Sequence, residues 1–285
     1  MELSNIVGKW RGKMKVGSLV GLDENLRNKF SELKELGMDC CQLVCWNMDA
    51  FTDETAEKVK KAVEDFGVEI TALWCGWPGP RVWDFYEGQK TLGLVPEEYR
   101  DMRLKALLTG SDFAAKIGVK DLVTHAGYMP ENPYDSQYQP VVEALRTLAN
   151  HCKANGQRFL FETGQETPVT LLRVIEEIGT GNVGINLDPA NLLMYGKANP
   201  VDALDVFGQY VWGIHGKDGE YPTDGKNLGK EKPLGQGRVN YPAFIRRLKE
   251  IGYQGTITIE REIRGEEQKR DIKMAKEILD RLIND

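Results

Sequence analysis

The chain has 285 residues, of which 41% are hydrophobic and 28% are charged, and its formal net charge is −6. These proportions are ordinary for a globular protein that works in water. A mildly acidic chain argues against binding the phosphate backbone of nucleic acid, so we expect no nucleic-acid partner. No run approaches the ~20 apolar residues that a membrane span needs, so we expect no membrane partner either.

Cysteine usage and the N-terminal residues both bear on the compartment. The five cysteines are an odd number without a CxxC pair, and Cys40, Cys41 and Cys45 lie in an apolar run. We predict that these three are buried free thiols, which favours a reducing compartment. The N-terminal stretch MELSNIVGKWRGK lacks the apolar centre of a signal peptide. The expected location is therefore the cytoplasm.

Apolar runs alternate with segments of helical period through the first half of the chain. The helix predicted over 24–36 shows the pattern, because Leu26, Phe30 and Leu33 fall on one face and Gly37 ends the helix. Strands are predicted over 14–20, 38–46, 68–75 and 119–125. Helices are predicted over 24–36, 53–66, 99–117 and 137–155.

The same alternation continues to the C-terminus. Thr167 is predicted as the N-cap of one helix, with Pro168 at the first helical position, where proline is favoured. Strands are predicted over 158–163, 182–188, 210–215 and 255–260. Helices are predicted over 168–178, 200–209, 241–251 and 266–283. Two long loops interrupt the pattern: 76–96 is rich in aromatic residues and proline, and 216–239 is polar and rich in glycine.

Eight strands in strict alternation with eight helices predict an α/β fold with a parallel sheet. The strands are short and apolar throughout, as expected when both faces of a sheet are buried. Eight such units match a closed (β/α)₈ TIM barrel, and without a linker-like change of composition we expect one domain over 1–285. The alternative is an open doubly wound sheet, but no GxGxxG follows the first strand, which reads GSLVG.

Active sites of such barrels lie at the C-terminal ends of the strands. The polar residues at those ends, on the fourth to eighth predicted strands, are His125, Glu162, Asp188, His215 and Glu260. Neighbouring strands are about 4.8 Å apart, so the last four side chains are expected to converge on one side of the barrel mouth. The alternative is that they are unrelated polar strand ends. For His125, a substrate contact and a purely structural role both stay open.

The residue types of this group indicate a metal site. Two glutamates, an aspartate and a histidine offer mainly hard oxygen ligands, which suit Mn²⁺, Mg²⁺ or Co²⁺, and Zn²⁺ is also compatible. Three carboxylates brought together without a cation would repel one another and shift their pKa values. One bound divalent metal ion is the simplest relief, so we predict one such cofactor.

Several segments of the second half resemble a known family. They are FLFETG (159–164), NLDPANLL (186–193), GIHGKDG (213–219), PLGQGRVNYPAFIRRLKEIGYQG (233–255) and TITIERE (256–262). On these segments the chain resembles the xylose isomerase-like barrels known as sugar phosphate isomerases/epimerases, which include ketose 3-epimerases and inosose dehydratases. The resemblance implies that Glu162, Asp188, His215 and Glu260 are the metal ligands and that Glu162 and Glu260 are also the catalytic acid/base pair.

Two positions depart from the ketose 3-epimerase pattern. A histidine commonly follows the metal aspartate by three residues in those enzymes, whereas this chain has Asn191. An arginine is usual near the metal histidine, whereas this chain has Lys217. We predict that Asn191 and Lys217 hold substrate oxygens. Glu166 is predicted as a further substrate contact, with solvation at a helix start as the alternative.

The aromatic loop and the polar loop each allow two interpretations. Sugars present apolar C–H faces that stack on indole rings, so Trp77 and Trp83 are predicted to wall the substrate site. The alternative is that the aromatics pin a long loop to the barrel or form a subunit contact in a homo-oligomer. The basic residues of the polar loop are expected on the surface, with phosphate binding as the alternative; they are Lys226, Lys230, Lys232 and Arg238.

The resemblance therefore predicts an enzyme of carbohydrate metabolism with a small sugar substrate, either a ketose/aldose isomerase or an epimerase. Its first alternative is a dehydratase or lyase of a keto-sugar or keto-inositol. A non-catalytic sugar-binding barrel would be expected to have lost metal ligands, and all four are present. The apurinic endonuclease branch of the fold needs a basic face and more histidines than the three in this chain.

Overall fold

A computed structural model describes residues 14–285. The N-terminal stretch for which we expect no signal peptide lies outside the described residues. The strands are β1 (Lys15–Gly21), β2 (Cys40–Cys45), β3 (Glu69–Cys75), β4 (Asp121–Thr124), β5 (Arg158–Glu162), β6 (Val183–Leu187), β7 (Val211–Gly216), β8 (Asp218–Gly219), β9 (Glu231–Lys232) and β10 (Thr256–Ile259). Eight of them form a closed parallel barrel in the order β1-β10-β7-β6-β5-β4-β3-β2. The (β/α)₈ prediction is confirmed.

Helices follow the barrel strands and pack outside them. They are α1 (Leu26–Glu35), α2 (Asp53–Phe66), α3 (Gly88–Thr91), α4 (Glu97–Lys116), α5 (Tyr138–Ala154), α6 (Pro168–Ile178), α7 (Pro189–Met194), α8 (Pro200–Phe207), α9 (Tyr241–Glu250) and α10 (Glu266–Asn284). Short 3₁₀ helices cover Met48–Ala50 and Gly208–Tyr210. Between residues 14 and 285, no helix is both long and apolar enough to cross a lipid bilayer.

All eight predicted helices are present, and the structure adds two short ones that were not predicted, α3 and α7. Four and six residues are too few to show a helical period in the sequence. Asp188 is the N-cap of α7, since its side chain accepts a hydrogen bond from the Asn191 N–H at 2.9 Å, and Pro189 is the first helical residue. The polar loop 216–239 also contains the short antiparallel ladder of β8 and β9, which apolar periodicity could not indicate.

The core consists of apolar side chains between the barrel and the helices, and a second apolar group lies inside the barrel and over its C-terminal mouth. All five cysteines are buried and free, as predicted for the first three. A cavity of about 450 Å³ lies at the opposite, N-terminal mouth. Arg158, Trp212 and Gln42 are among its lining residues.

The aromatic loop 76–96 is held to the barrel by the buried guanidinium of Arg103. This group donates hydrogen bonds to the carbonyls of Pro78 (3.2 Å), Gly93 (2.7 Å) and Pro80 (2.7 Å) and lies over the Trp77 ring. No carboxylate of residues 14–285 forms an ion pair with it. Burial lowers the pKa of Arg103 to about 10. The guanidinium therefore satisfies loop carbonyls rather than a charge partner.

We expect Arg103→Leu to lower the free energy of unfolding by ~2–4 kcal/mol, because three loop carbonyls would lose their donors. Urea denaturation of the purified variant measures this change. Arg27→Leu is the matched control, since the Arg27 guanidinium pairs with Asp65 at a solvent-exposed position. Its loss should lower the free energy of unfolding by less than ~1 kcal/mol. Equal losses in the two variants would contradict the role given to Arg103.

Candidate active site

Four side chains at the C-terminal mouth form a carboxylate–histidine cluster: Glu162, Asp188, His215 and Glu260. Each offers one ligand atom, and these atoms all lie within 4.8 Å of one another. Glu162 ends β5, Asp188 follows β6, His215 lies near the end of β7 and Glu260 follows β10. The first three are almost fully buried, whereas the Glu260 side chain is 14% exposed. The structure thus brings together the four predicted ligands.

The Nδ1 atom of His215 faces all three carboxylates. It lies 2.9 Å from Glu260 Oε2, 3.1 Å from Glu162 Oε1 and 3.8 Å from Asp188 Oδ2. Without a cation, burial lowers the pKa of His215, but the charges of Glu162 and Glu260 outweigh burial and raise it well above its ordinary value. The centre of the cluster therefore attracts positive charge.

The donor atoms of the cluster fit a divalent metal ion. Within residues 14–285, Asp188 Oδ2 and Glu260 Oε2 are buried and accept no hydrogen bond of acceptable geometry, although His215 Nδ1 and the Lys217 amine lie 2.9–3.8 Å from them. Buried carboxylate oxygens normally have hydrogen-bond partners, and lacking them is costly unless a cation is bound. Three carboxylates and one imidazole nitrogen form a hard donor set that suits Mn²⁺, Mg²⁺ or Co²⁺. The cluster could therefore hold one such ion.

Lys217 lies beside the cluster and is only 2% exposed. Its Nζ lies 2.8 Å from Glu262 Oε1, 3.5 Å from Glu260 Oε2 and 3.6 Å from Asp188 Oδ2. It also donates to the side-chain oxygen of Asn191 at 3.4 Å. Burial lowers the pKa of Lys217, but the carboxylates of Glu260 and Glu262 raise it by more than burial lowers it. The amine therefore stays charged. Sequence reasoning missed Glu262, although two-residue spacing from Glu260 at a strand end was a signal for it.

Both predicted catalytic carboxylates are held ionised. Burial by itself raises the pKa of Glu162, but His125 and His215 bring it below its ordinary value. Burial likewise raises the pKa of Glu260, and the positive charges of Lys217 and His215 outweigh that effect. Each carboxylate can therefore act as a base at neutral pH.

Three further side chains surround the Glu162 carboxylate. The indole N–H of Trp74 donates to Oε2, and the Asn191 amide donates to Oε1 at 3.3 Å. His125 has its Nε2 at 3.7 Å from Oε1, and its Nδ1 lies 3.2 Å from the Glu162 carbonyl oxygen. Trp74 was not predicted as a site residue. Its signal was its place in the last part of an apolar strand, before the aromatic loop.

The aromatic loop covers the mouth with a group of indole rings. Trp77 is buried and Trp83 is 39% exposed, and their ring centroids are 6.4 Å apart. Trp46 lies 5.2 Å from Trp77, and Trp83 lies 5.4 Å from the imidazole of His125. The loop meets the polar loop 216–239 through the Phe85 N–H, which donates to the Lys226 carbonyl at 2.9 Å. Trp83 therefore lies against His125 beside the cluster, whereas Trp77 is buried among the other indole rings, and a substrate contact for either stays a prediction.

Gln42 is a polar residue inside the barrel that sequence reasoning missed. Its Oε1 lies 2.9 Å from Nε2 of His215, and its Nε2 donates to Oδ1 of Asn186 at 2.8 Å. The signal was a glutamine in the middle of the apolar strand CCQLVC. A polar side chain there must find partners inside the barrel, because burial without hydrogen bonds is costly.

Glu166 is buried after β5, with 2% exposure. Both of its carboxylate oxygens lack a hydrogen-bond partner among the described residues, and so do both polar atoms of the neighbouring Gln165 side chain. Burial raises the pKa of Glu166 to about 8, partly offset by Lys197. At neutral pH this carboxyl is therefore mainly protonated, and it can donate one hydrogen bond and accept others.

We expect the free energy of unfolding of Glu166→Gln to rise relative to that of wild type as pH rises from about 4.5 to 8. At pH 9 the gain should be ~1–3 kcal/mol. The reason is that the folded-state pKa lies above the unfolded one: over this pH range the carboxyl ionises in the unfolded chain but stays protonated in the fold, which lowers the stability of the wild type. Urea denaturation at pH 5 and pH 9 tests the expectation. A stability difference that is the same at both values would contradict the buried, protonated state of Glu166.

Comparisons with known proteins place these features in a family context. The model of the xylose isomerase-like TIM barrel family matches residues 30–282. The crystal structure of a xylose isomerase domain protein from Planctomyces limnophilus has 34% sequence identity and a TM-score of 0.89, covering 95% of this chain and 97% of that chain. A D-tagatose 3-epimerase-like protein has 22% identity and a TM-score of 0.73 over 95% of this chain and 97% of its own. An uncharacterized protein of Methanocaldococcus jannaschii is 23% identical over 95% of this chain and 90% of its own length.

Proposed function

This chain belongs to the xylose isomerase-like TIM barrel family, and from that premise we propose that it is a divalent-metal-dependent isomerase or epimerase of a sugar or sugar derivative. The observation that carries the proposal is the convergence of three carboxylates on Nδ1 of His215, with two buried oxygens left without hydrogen bonds among residues 14–285. Such a set serves both to hold a cation and to move protons beside it.

The residues that would hold the ion are Glu162, Asp188, His215 and Glu260. When bound, a divalent ion polarises a carbonyl oxygen and makes the protons on the adjacent carbon easier to remove. The protein supplies the bases for that removal. Glu162 and Glu260 are ionised, and they come from β5 and β10, which β6 and β7 separate in the barrel.

Two carboxylates that reach a substrate from different strands can serve its two faces. One takes the proton from the carbon next to the carbonyl, and the other returns a proton to the opposite face, which inverts that carbon. Return of the proton to the neighbouring carbon instead interconverts an aldose and a ketose. The Trp74 indole and the Asn191 amide, which both donate to Glu162, keep that carboxylate in one orientation.

The remaining predicted residues would bind and orient the sugar. Asn191 and Lys217 lie beside the cluster, where they would donate hydrogen bonds to substrate oxygens, and Glu166 would contact a further hydroxyl. His125 and Trp83 would form the wall against the apolar C–H face of the sugar, with the buried Trp77 packed against Trp83. The indole rings over the mouth would also exclude water from the reacting carbon.

Deuterium exchange tests the proposal. The purified protein is loaded with Mn²⁺ and incubated in D₂O with a panel of ketoses, aldoses and keto-inositols. We expect deuterium at a carbon next to a carbonyl in at least one sugar, together with an isomeric product. Bound metal without exchange on any panel member would contradict the proposal and support a non-catalytic sugar-binding barrel.

The position of Lys217 supports dehydration of a keto-sugar or keto-inositol as a second candidate. Its charged amine lies 3.5 Å from the Glu260 carboxylate, so an acid and a base are adjacent. After Glu260 takes a proton from carbon, an adjacent ammonium can protonate a hydroxyl that leaves from the next carbon as water. The same incubations distinguish the candidates, because dehydration gives an unsaturated or diketo product that has lost water.

A further inference from the structure

Inside the barrel, His215 of the carboxylate–histidine cluster is hydrogen-bonded to Gln42, which lies on β2. We propose that Gln42 is a positioning residue: it holds His215 in the tautomer whose Nδ1 is free to bind the metal ion and whose Nε2 carries the proton. This inference rests on the proposed function in that it takes the carboxylate–histidine cluster to be a metal site. It assigns a role to a residue of the first half of the chain.

The hydrogen bonds of His215 carry the argument. Gln42 Oε1 can only accept, and at 2.9 Å from Nε2 of His215 it requires a proton on that nitrogen. In a neutral imidazole the other nitrogen is then unprotonated, and Nδ1 is the atom that faces Glu162, Glu260 and Asp188. The partner of one ring nitrogen thus fixes which nitrogen is available to a metal.

The orientation of the Gln42 amide is itself held by a neighbour. Its Nε2 donates to Oδ1 of Asn186 at 2.8 Å, which leaves Oε1 to face His215. Gly213 makes room for this contact, because a Cβ atom there would lie 2.5 Å from Asn186 Oδ1. The chain Asn186–Gln42–His215 joins β6, β2 and β7 across the interior of the barrel.

Side-chain alternation along β2 places Gln42 on the inner face of the barrel, because its neighbours Cys41 and Leu43 belong to the outer core. The pairing of β2 with β3 shifts register between Cys41 and Gln42, where Thr71 is the extra residue of β3 and its hydroxyl donates to the Cys41 carbonyl at 3.0 Å. The irregularity therefore lies in β3, opposite Gln42, and β2 itself stays regular. The Gln42 side chain is 2% exposed and borders the cavity at the N-terminal mouth, so it separates that cavity from His215.

Metal affinity measures the role of Gln42 directly. Partners that orient a metal-binding histidine typically contribute 10–100-fold to affinity. We expect Gln42→Leu to weaken Mn²⁺ binding by ~10–100-fold, measured by electron paramagnetic resonance of free Mn²⁺. Gln42→Glu should restore wild-type or tighter binding. A glutamate still accepts from Nε2, and Asn186 Nδ2, which has no partner among the described residues, can donate to its second oxygen.

Gln157→Leu is the matched control for the loss of a buried amide. Gln157 is 4% exposed and donates to the Ser111 and Val119 carbonyls, away from the cluster. We expect this variant to lower thermal stability without changing the Mn²⁺ dissociation constant. If Gln157→Leu weakened metal binding as much as Gln42→Leu, the effect would be general destabilisation and the inference would be overturned.

The tautomer itself is observable because the chain has only three histidines. Long-range ¹H–¹⁵N spectra of the Zn²⁺-loaded protein, with His151→Gln to remove one signal set, should show one imidazole with metal on Nδ1 and a proton on Nε2. Metal on Nε2, or an unchanged Mn²⁺ dissociation constant in Gln42→Leu, would overturn the inference while leaving deuterium exchange unaffected. Failure of the wild type to bind metal would overturn the inference together with the metal dependence of the proposed function.

Discussion

Replacing Glu162 by glutamine is expected to abolish deuterium exchange into the substrate, with a loss of ~10³-fold or more. A general base contributes 10²–10⁴-fold by itself, and an amide cannot accept the proton. The surroundings of Glu162 add to the effect, because Trp74 and Asn191 donate to its two carboxylate oxygens. A glutamine would set its own N–H₂ group against one of these donors.

Two measurements separate lost base catalysis from lost metal. The Mn²⁺ dissociation constant of Glu162→Gln is determined first, and exchange is then measured at saturating metal. Glu69→Gln is the control, since Glu69 is an exposed carboxylate at the other end of the barrel, paired with Lys15 at 2.6 Å. Full exchange activity in Glu162→Gln would remove Glu162 from the proton-transfer role, whereas loss in both variants would indicate a nonspecific effect.

Asp188→Asn should nearly eliminate metal binding while preserving the fold. Asparagine keeps the acceptor that caps α7, so the Asn191 N–H remains satisfied and the stability of the metal-free protein should change by less than ~1 kcal/mol. The buried Oδ2, which accepts no hydrogen bond from residues 14–285, loses its negative charge. We expect metal affinity to fall by ~100-fold or more, as for loss of a charged ligand.

Thermal unfolding with and without metal checks this expectation. At a metal concentration of 100 times the dissociation constant, binding stabilises a folded protein by about 2.7 kcal/mol. Wild type should show that stabilisation, and Asp188→Asn should show almost none at the same concentration. A metal-induced stabilisation equal to that of wild type would exclude Asp188 as a ligand.

Local signals in the sequence were sufficient for most of the fold. Thr167 and Pro168 marked the start of α6, because caps and proline act within a single turn. The ends of the strands could also be predicted from the sequence. The polar residues at those ends were the four members of the carboxylate–histidine cluster. The resemblance to the xylose isomerase-like barrels is confirmed by the family model.

The contacts that cross the barrel could not be predicted in the same way. Gln42 lies 173 residues from His215 in the chain, and Trp74 lies 88 residues from Glu162. Nothing within a single βα unit specifies which strands face one another inside a closed barrel. A glutamine in an apolar strand indicated that a partner existed, but its identity depends on the closed arrangement of all eight strands.

The long-range chain Asn186–Gln42–His215 has a kinetic consequence. Its hydrogen bonds join residues 144 and 173 positions apart, and the cluster itself needs β10, which pairs with β1 when the barrel closes. Contacts between such distant residues form late, because closing long loops costs entropy first. Metal bound there should leave the folding rate nearly unchanged and slow unfolding instead, extending the lifetime of the native protein.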